Sequence, residues 1–104
     1  MMRGRRRRGR FGRMPRPVRI SHTTGIKAFI PEPLNSLESV HIEPAELEVI
    51  MLIDIEDLNQ QEAGERMGTS RGTVWRLLQS ARRKIALALI EGRRIDILEH
   101  PSRV

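Results

Sequence analysis

The chain has 104 residues, 31% of them charged, and a formal net charge of +6, which indicates one domain with a small core. It contains no cysteine, which excludes disulfides, thiolate metal sites and cysteine nucleophiles. Two phenylalanines and one tryptophan are too few aromatic residues to build a stacking platform for single-stranded nucleic acid.

Charge is distributed unevenly along the chain. Residues 1–20 contain nine arginines and no acid, residues 21–65 contain one lysine and ten acids, and residues 66–104 contain nine basic residues and three acids. The basic residues are thus concentrated at the two ends. The acidic middle would be repelled by phosphate, so we expect it to face away from nucleic acid or toward a protein partner.

The first thirteen residues, MMRGRRRRGRFGR, form a low-complexity arm. Like charges and glycines prevent such a segment from folding alone, so we expect residues 1–13 to be disordered. Basic arms of other domains bind phosphates or lie in a minor groove, and an extension without an evolved role is an equal alternative. No apolar stretch of the length of a signal peptide or membrane span follows, so secretion and membrane insertion are not expected.

Residues 14–43 are rich in proline and turn formers and are predicted to be an extended segment. Within it, Val18–Ile20 and Ser39–Ile42 are candidates for short strands. The helical domain is predicted to span residues 44–98, and residues 99–104 form a tail.

The first predicted helix begins at Pro44, because proline and an acid such as Glu43 are favoured in a first helical turn. It should end near Leu58. Its apolar residues expected to face inward are Leu47, Ile50, Met51 and Ile55. Its acidic residues, expected to form a surface, are Glu46, Glu48, Asp54, Glu56 and Asp57.

The next twenty residues, QQEAGERMGTSRGTVWRLLQ at positions 60–79, have the spacing of a helix-turn-helix DNA reader. Asn59 followed three residues later by Glu62 is a capping-box pattern, so a helix should begin at residue 60. Gly68 should end it, because glycine adopts positive φ without a steric penalty. Ser70 is the predicted N-cap of the following helix.

That following helix is predicted from Arg71 to about Glu91, with Gly92 as its terminator. The apolar residues expected on its buried side are Val74, Leu77, Ala81, Ile85 and Ala88. Small residues at Ala63 and Gly64 should let the two helices touch. After the helix, Arg93–Leu98 alternates polar and apolar residues and predicts a strand, paired with an upstream strand or with the same segment of another subunit.

The residues predicted to read DNA are Ser70, Arg71, Gly72, Thr73, Arg76 and Gln79. Arginine can donate two parallel hydrogen bonds to guanine, and glutamine can do so to adenine, so these side chains suit base edges. The residues predicted to contact phosphates are Gln60, Gln61, Arg82 and Arg83. The alternative is that the same polar residues form only the solvated face of an amphipathic helix. Trp75 is interpreted as a packing residue, partly buried against the preceding helix.

An enzyme is the competing class. His22, His41 and His100 are far apart in sequence, and none lies at helical spacing from another histidine, so a metal site is not expected. Glu56 and Asp57 are adjacent and point in different directions on a helix, which makes them a poor acid–base pair. No catalytic constellation is predicted.

Four stretches carry a family pattern: MPRP at residues 14–17, Phe29 with Pro31, LESV at residues 37–40, and AELEVIMLIDIEDLNQQEAGERMGTSRGTVWRLLQSARRKIALALIEGR at residues 45–93. Together they resemble a family of small prokaryotic proteins described as predicted DNA-binding and otherwise uncharacterised, over Met14 to about Ile97. The family's helix-turn-helix is similar to region four of sigma factors. The resemblance implies DNA binding at the motif positions Ser70 to Thr73 and Arg76, and implies no biochemical activity.

Three features depart from that family pattern. The Arg-rich residues before Met14 lie outside it, the N-terminal cysteines of some members are absent here, and Thr69 stands where an apolar residue is usual in the turn. The last change should loosen packing slightly without altering the fold.

The sequence therefore predicts a mainly α fold, a sigma region-four-like helix-turn-helix with a disordered Arg-rich arm and short strands flanking the helices. Its predicted function is sequence-specific binding of double-stranded DNA by a cytoplasmic, nucleoid-associated transcriptional regulator, as a homodimer on two half-sites. The alternatives are a protein-interaction adaptor that uses the acidic helix at residues 44–58, and a nonspecific RNA binder that uses the Arg-rich arm. No cofactor is expected.

Overall fold

The computed structural model describes residues 18–99. Along that range it contains β1 (Ala28–Phe29), β2 (Val40–Ile42), α1 (Pro44–Ile50), a π-helical segment (Met51–Ile55), α2 (Gln60–Met67), α3 (Arg71–Glu91) and β3 (Ile95–Ile97). The predicted disordered arm at residues 1–13 and nearly all of the predicted C-terminal tail lie outside the described residues. None of the helices within residues 18–99 is long and apolar enough to cross a membrane.

The three strands form one small sheet in the order β1-β3-β2. β3 pairs antiparallel with β1 and parallel with β2, so the C-terminal strand finds its partners in the same chain. The predicted strand at Val18–Ile20 is wrong, because the N–H of Arg19 donates to the carbonyl oxygen of Met67 at 2.8 Å and ties this segment to α2. Conversely, the two-residue strand β1 was not predicted.

The first helix differs from its prediction, because α1 continues as a π-helical segment rather than as an α-helix to Leu58. The N–H of Glu56 donates to the carbonyl oxygen of Met51, five residues earlier, at 2.9 Å. Val49 and Leu52 are fully buried. Of the residues expected to face inward, Leu47, Ile50 and Met51 are partly buried, whereas Ile55, in the wider π-helical turn, is 71% exposed.

The predicted caps of α2 and α3 are confirmed. The side chain of Asn59 accepts from the N–H of Glu62 at 2.8 Å, and the Glu62 carboxylate accepts from the N–H of Asn59 at 2.9 Å. Gly68 has φ 70° and Gly92 has φ 65°, the left-handed conformation expected after each helix. Ser70 caps α3 by accepting from the N–H of Thr73 at 3.1 Å.

The core lies where the first helical stretch, α2 and the N-terminal half of α3 meet. Its buried residues are Val49, Leu52, Ala63, Met67, Val74 and Leu78. Leu78 is buried in place of Leu77, which was predicted to be buried and is only partly so. Leu78 follows Val74 by four residues, slightly more than one helical turn, and therefore lies on the same buried side of α3. Farther along, α3 packs against β2, and Ile85, also predicted to be buried, is only partly so.

Candidate nucleic-acid interface

The turn between α2 and α3, residues 68–70, lies directly against α2. The N–H of Thr69 donates to the carbonyl oxygen of Gly64 at 2.8 Å. A Cβ atom added at Gly64 would lie 2.8 Å from the carbonyl oxygen of Thr69, so this close approach of two backbone segments suits only glycine. Backbone contact, in addition to side-chain packing, therefore sets the direction in which α3 leaves α2.

Three of the predicted DNA-contacting residues are joined by hydrogen bonds at the start of α3. The Ser70 hydroxyl donates to Thr73 Oγ1 at 3.0 Å, and Arg76 Nη2 donates to the same Thr73 oxygen at 3.2 Å. Because a guanidinium has five N–H donors in a planar fork, this single bond orients Arg76 and leaves most of its donors for another partner. Ser70, Thr73 and Arg76 thus form one polar row along the first turns of the helix.

One face of α3 is exposed and free of acids. At 100° per residue, the positions opposite the buried stripe are Gly72, Arg76, Gln79 and Arg83, and all four are exposed. Arg71 is exposed beside them. The sequence of α3 has no acid before Glu91, so this face, which we call the α3 outer face, carries uncompensated positive charge along the helix.

Gly72 is not required by the fold. A Cβ atom added there would meet only Arg76 Nη1 at 3.8 Å and Ser70 Oγ at 3.9 Å, both ordinary van der Waals distances. This differs from Gly64, where the neighbouring backbone excludes a methyl group. A helix-destabilising residue therefore stands on the outer face of α3 without a packing reason among residues 18–99.

The four predicted phosphate contacts are not equivalent. Gln60 is partly buried, and the Gln61 amide donates to a Glu65 oxygen at 3.3 Å. Arg82 donates through Nε and Nη2 to the two carboxylate oxygens of Asp54, at 3.3 and 2.5 Å. The hydrogen bond to Asp54 also raises the pKa of Arg82. Arg83 is exposed and has no ion pair within residues 18–99, in contrast to Arg82.

The acidic surface expected on the first helix is smaller than predicted, because Glu46 and Glu48 are each only 3% exposed. The Glu46 carboxylate accepts from Lys84 Nζ at 2.9 Å, from the Ser80 hydroxyl at 2.5 Å and from the N–H of Glu43 at 2.9 Å. Burial raises the pKa of Glu46, but these hydrogen bonds outweigh it and hold the pKa below its ordinary value. Glu46 therefore links α1 to α3 and is not part of a protein-docking surface.

The remaining acids of this region are also partly engaged. Glu48 accepts from the N–H of Ser21 at 3.0 Å, and the Ser21 hydroxyl donates to its other oxygen. Glu56 accepts from Arg66 Nη2 at 3.4 Å. Asp54 is paired as well. Of the five acids predicted to form an acidic surface, Asp57 is therefore the one that is exposed and has no ion pair among residues 18–99.

Arg19 is a structural residue that the sequence did not identify. Its Nε donates to the carbonyl oxygen of Arg66 at 3.1 Å and its Nη2 to that of Glu65 at 2.7 Å. These carbonyls belong to the last turn of α2, where a cation is favourable. Arg19 and α2 are more than forty residues apart in sequence, so no local pattern could have predicted this contact.

The histidines within the described range do not converge. His22 Nδ1 lies 3.0 Å from the Ser21 hydroxyl, and His41 Nε2 lies 3.8 Å from an Asp96 oxygen. Residues 18–99 hold no group of three or more histidine, aspartate or glutamate side chains that could ligate a metal ion. His100 lies outside the described residues.

Comparison with known proteins assigns the family. Residues 1–100 match the family described as "Protein of unknown function DUF134", and the chain belongs to this family. The match extends over the Arg-rich residues before Met14, which the sequence resemblance had placed outside the family pattern.

Relatives named "UPF0251 protein" come from archaea and a bacterium. The protein of Archaeoglobus fulgidus is 43% identical over 86 residues, covering 83% of this chain and 82% of the relative. One from Methanosarcina acetivorans is 44% identical over 88 residues, covering 83% and 79%. One from Pyrococcus furiosus is 54% identical over 59 residues, which span 57% of this chain and 55% of the relative. No solved structure matches.

Proposed function

We propose that α2, the turn at residues 68–70 and α3 form a helix-turn-helix, similar to region four of sigma factors, that binds double-stranded DNA in a sequence-specific manner. In this proposal the N-terminal half of α3 enters the major groove. The observation that carries it is the α3 outer face, which is exposed, positively charged and free of acids from its first residue to Glu91. Binding of this kind would place the protein on the nucleoid as a transcriptional regulator.

The side chains of the α3 outer face have the chemistry of base readout. Arg76 and Gln79 suit guanine and adenine edges, and Arg71 stands at the first helical position. Gly72 supports the proposal because no close contact within the described part of the chain requires a glycine there, and its missing side chain would allow the helix to approach DNA closely. Ser70 caps the N–H of Thr73, and the N–H groups of Arg71 and Gly72 before it suit a phosphate.

A single reading helix of this size buries little surface, which is why we also propose a homodimer on two half-sites. Sedimentation of the free protein and of its DNA complex tests this part separately. Two protomers on a selected inverted repeat would support it. One protomer on a site without symmetry would contradict it and leave the DNA-reading proposal unaffected.

The test of DNA binding is the affinity for duplex DNA as a function of salt. If the basic face docks on phosphates, log K should fall linearly with log salt concentration. Arg76→Ala should lower affinity for a selected sequence by about 1 to 3 kcal/mol, as expected for a lost bidentate base contact, and should leave discrimination weaker. The fold should persist, because the one hydrogen bond that Arg76 makes to Thr73 lies at the surface.

Arg94→Ala provides a matched control. It removes the same charge, but Arg94 pairs with Asp96 at 2.7 Å beside the sheet, away from the N-terminus of α3. This variant should retain sequence discrimination. Equal losses for Arg76→Ala and Arg94→Ala on every sequence would mean nonspecific charge attraction. Loss of all binding after removal of residues 1–13 would favour the RNA-binding alternative through the Arg-rich arm.

A further inference from the structure

The tryptophan of α3 is more exposed than its chemistry would suggest. Trp75 keeps 50% of its surface exposed, although Leu78, one turn farther along, is only 3% exposed and belongs to the core. A half-exposed indole leaves roughly 100 Å² of mostly apolar surface without cover. The prediction that Trp75 is a packing residue is therefore wrong, because the side chain is among the exposed large hydrophobic residues of the fold.

The position of Trp75 places it beside the α3 outer face. Arg71 and Gln79 lie one helical turn before and after it, and all three are exposed. The Trp75 side chain does not cover Gly72, since no atom of it lies within 4 Å of the point that a Gly72 Cβ would occupy. The indole thus lies beside the position of the missing Gly72 side chain and does not occupy it.

Resting on the proposed function, we infer that Trp75 is a specificity-determining residue that contacts thymine C5-methyl groups in the major groove. The methyl group is the one apolar feature that base edges present there. A guanidinium and an amide in the same row can read donors and acceptors, but neither recognises a methyl group. An apolar ring between them supplies that missing contact, and it would bury surface that the free protein leaves in water.

The experiment compares thymidine with deoxyuridine, which differ only by the methyl group. The probe is the duplex that the wild-type chain selects from random DNA, synthesised once in each form. Wild-type protein should bind the thymidine form about 4-fold more tightly for each methyl group contacted, as expected for burial of one aliphatic carbon. Trp75→Ala and the more polar, soluble Trp75→Gln should bind both forms equally. Arg76→Ala should bind more weakly but keep the preference for thymidine.

A second measurement needs no variant. The chain contains one tryptophan, so its intrinsic fluorescence reports on this side chain alone. Emission should change on binding of the thymidine duplex and should change less with the deoxyuridine duplex. An equal affinity of the wild-type chain for both forms, or a thymidine preference that survives in both Trp75 variants, would overturn the inference while DNA reading stands. If the wild-type chain selects no duplex at all, the proposed function and this inference both fail.

Discussion

Gly64→Ala tests the backbone contact that orients α3. An alanine methyl would lie 2.8 Å from the carbonyl oxygen of Thr69, whereas ordinary contacts of a Cβ atom begin at 3.4 Å. The obstacle is backbone rather than a flexible side chain, so α2 and the turn must move apart by about 0.6 Å to reach that spacing. This movement would stretch the hydrogen bond from Thr69 to Gly64, now 2.8 Å long.

Two opposing effects determine how much Gly64→Ala changes the free energy of unfolding. Overpacking of this kind costs about 1 to 3 kcal/mol, while replacing glycine by alanine within a helix gains up to about 1 kcal/mol. We expect Gly64→Ala to lower the free energy of unfolding by about 1 kcal/mol, the middle of the overpacking range less the full gain from alanine. In a domain of this size, each lost kcal/mol lowers Tm by about 4 to 8 °C.

Gly72→Ala is the matched control, because it makes the same change on α3 where a methyl group meets open space. It should raise the free energy of unfolding by up to about 1 kcal/mol. Urea denaturation followed by circular dichroism measures both variants. A Gly64→Ala chain as stable as wild type, or a Gly72→Ala chain less stable than Gly64→Ala, would refute the proposed role of close backbone approach.

Three further predictions concern charged residues. Because the pKa of Glu46 is held below its ordinary value of 4.5, its ionisation stabilises the fold above that value, and this contribution is lost as pH falls through the lowered pKa. The stability advantage of wild type over Glu46→Gln should therefore be full above pH 4.5 and shrink as pH falls through the lowered pKa of Glu46, as measured by urea denaturation. Arg19→Ala should cost about 1 kcal/mol, since two hydrogen bonds to α2 carbonyls are lost at an exposed site, and should increase amide exchange in the last turn of α2. Arg83→Ala should reduce the slope of log K for DNA against log salt by about 1, whereas Arg82→Ala should reduce it less, because Arg82 is already paired with a carboxylate.

Each of these has a contrary outcome. A pH-independent difference between wild type and Glu46→Gln would mean that the Glu46 carboxylate is not preferentially stabilised in the folded state. Unchanged exchange protection in Arg19→Ala would show that the two hydrogen bonds do not hold the end of α2. An equal change of slope in the Arg82 and Arg83 variants would mean that the ion pair with Asp54 opens on binding.

Helix boundaries could be predicted where they depend on near neighbours. The capping pair Asn59 and Glu62 lies within one turn, and Gly68 and Gly92 end their helices because of a local backbone conformation that glycine favours. The exposure of Arg76 also followed from helical periodicity alone. Helix caps and helical periodicity depend on residues within about one turn, so they can be predicted without knowing the positions of distant residues.

Features that depend on distant partners could not be predicted. From the sequence alone, the acidic residue Glu46 is expected at the surface. Its burial depends on hydrogen bonds from Lys84 and Ser80, which lie on another helix. The π-helical segment after α1 is likewise decided by packing, because its sequence fits an ordinary amphipathic helix as well. β1 has only two residues and exists because β3 pairs with it.

Selection of bound fragments from random duplex DNA at about 150 mM salt, where long-range attraction is screened beyond about 8 Å, measures the proposed reading function most directly. The wild-type chain and Arg94→Ala should both enrich the same short motif, and the motif enriched by Arg76→Ala should lose its preference at one base position. No enrichment over the starting pool by the wild-type chain, or recovery of an identical motif by Arg76→Ala, would contradict a reading role for the α3 outer face.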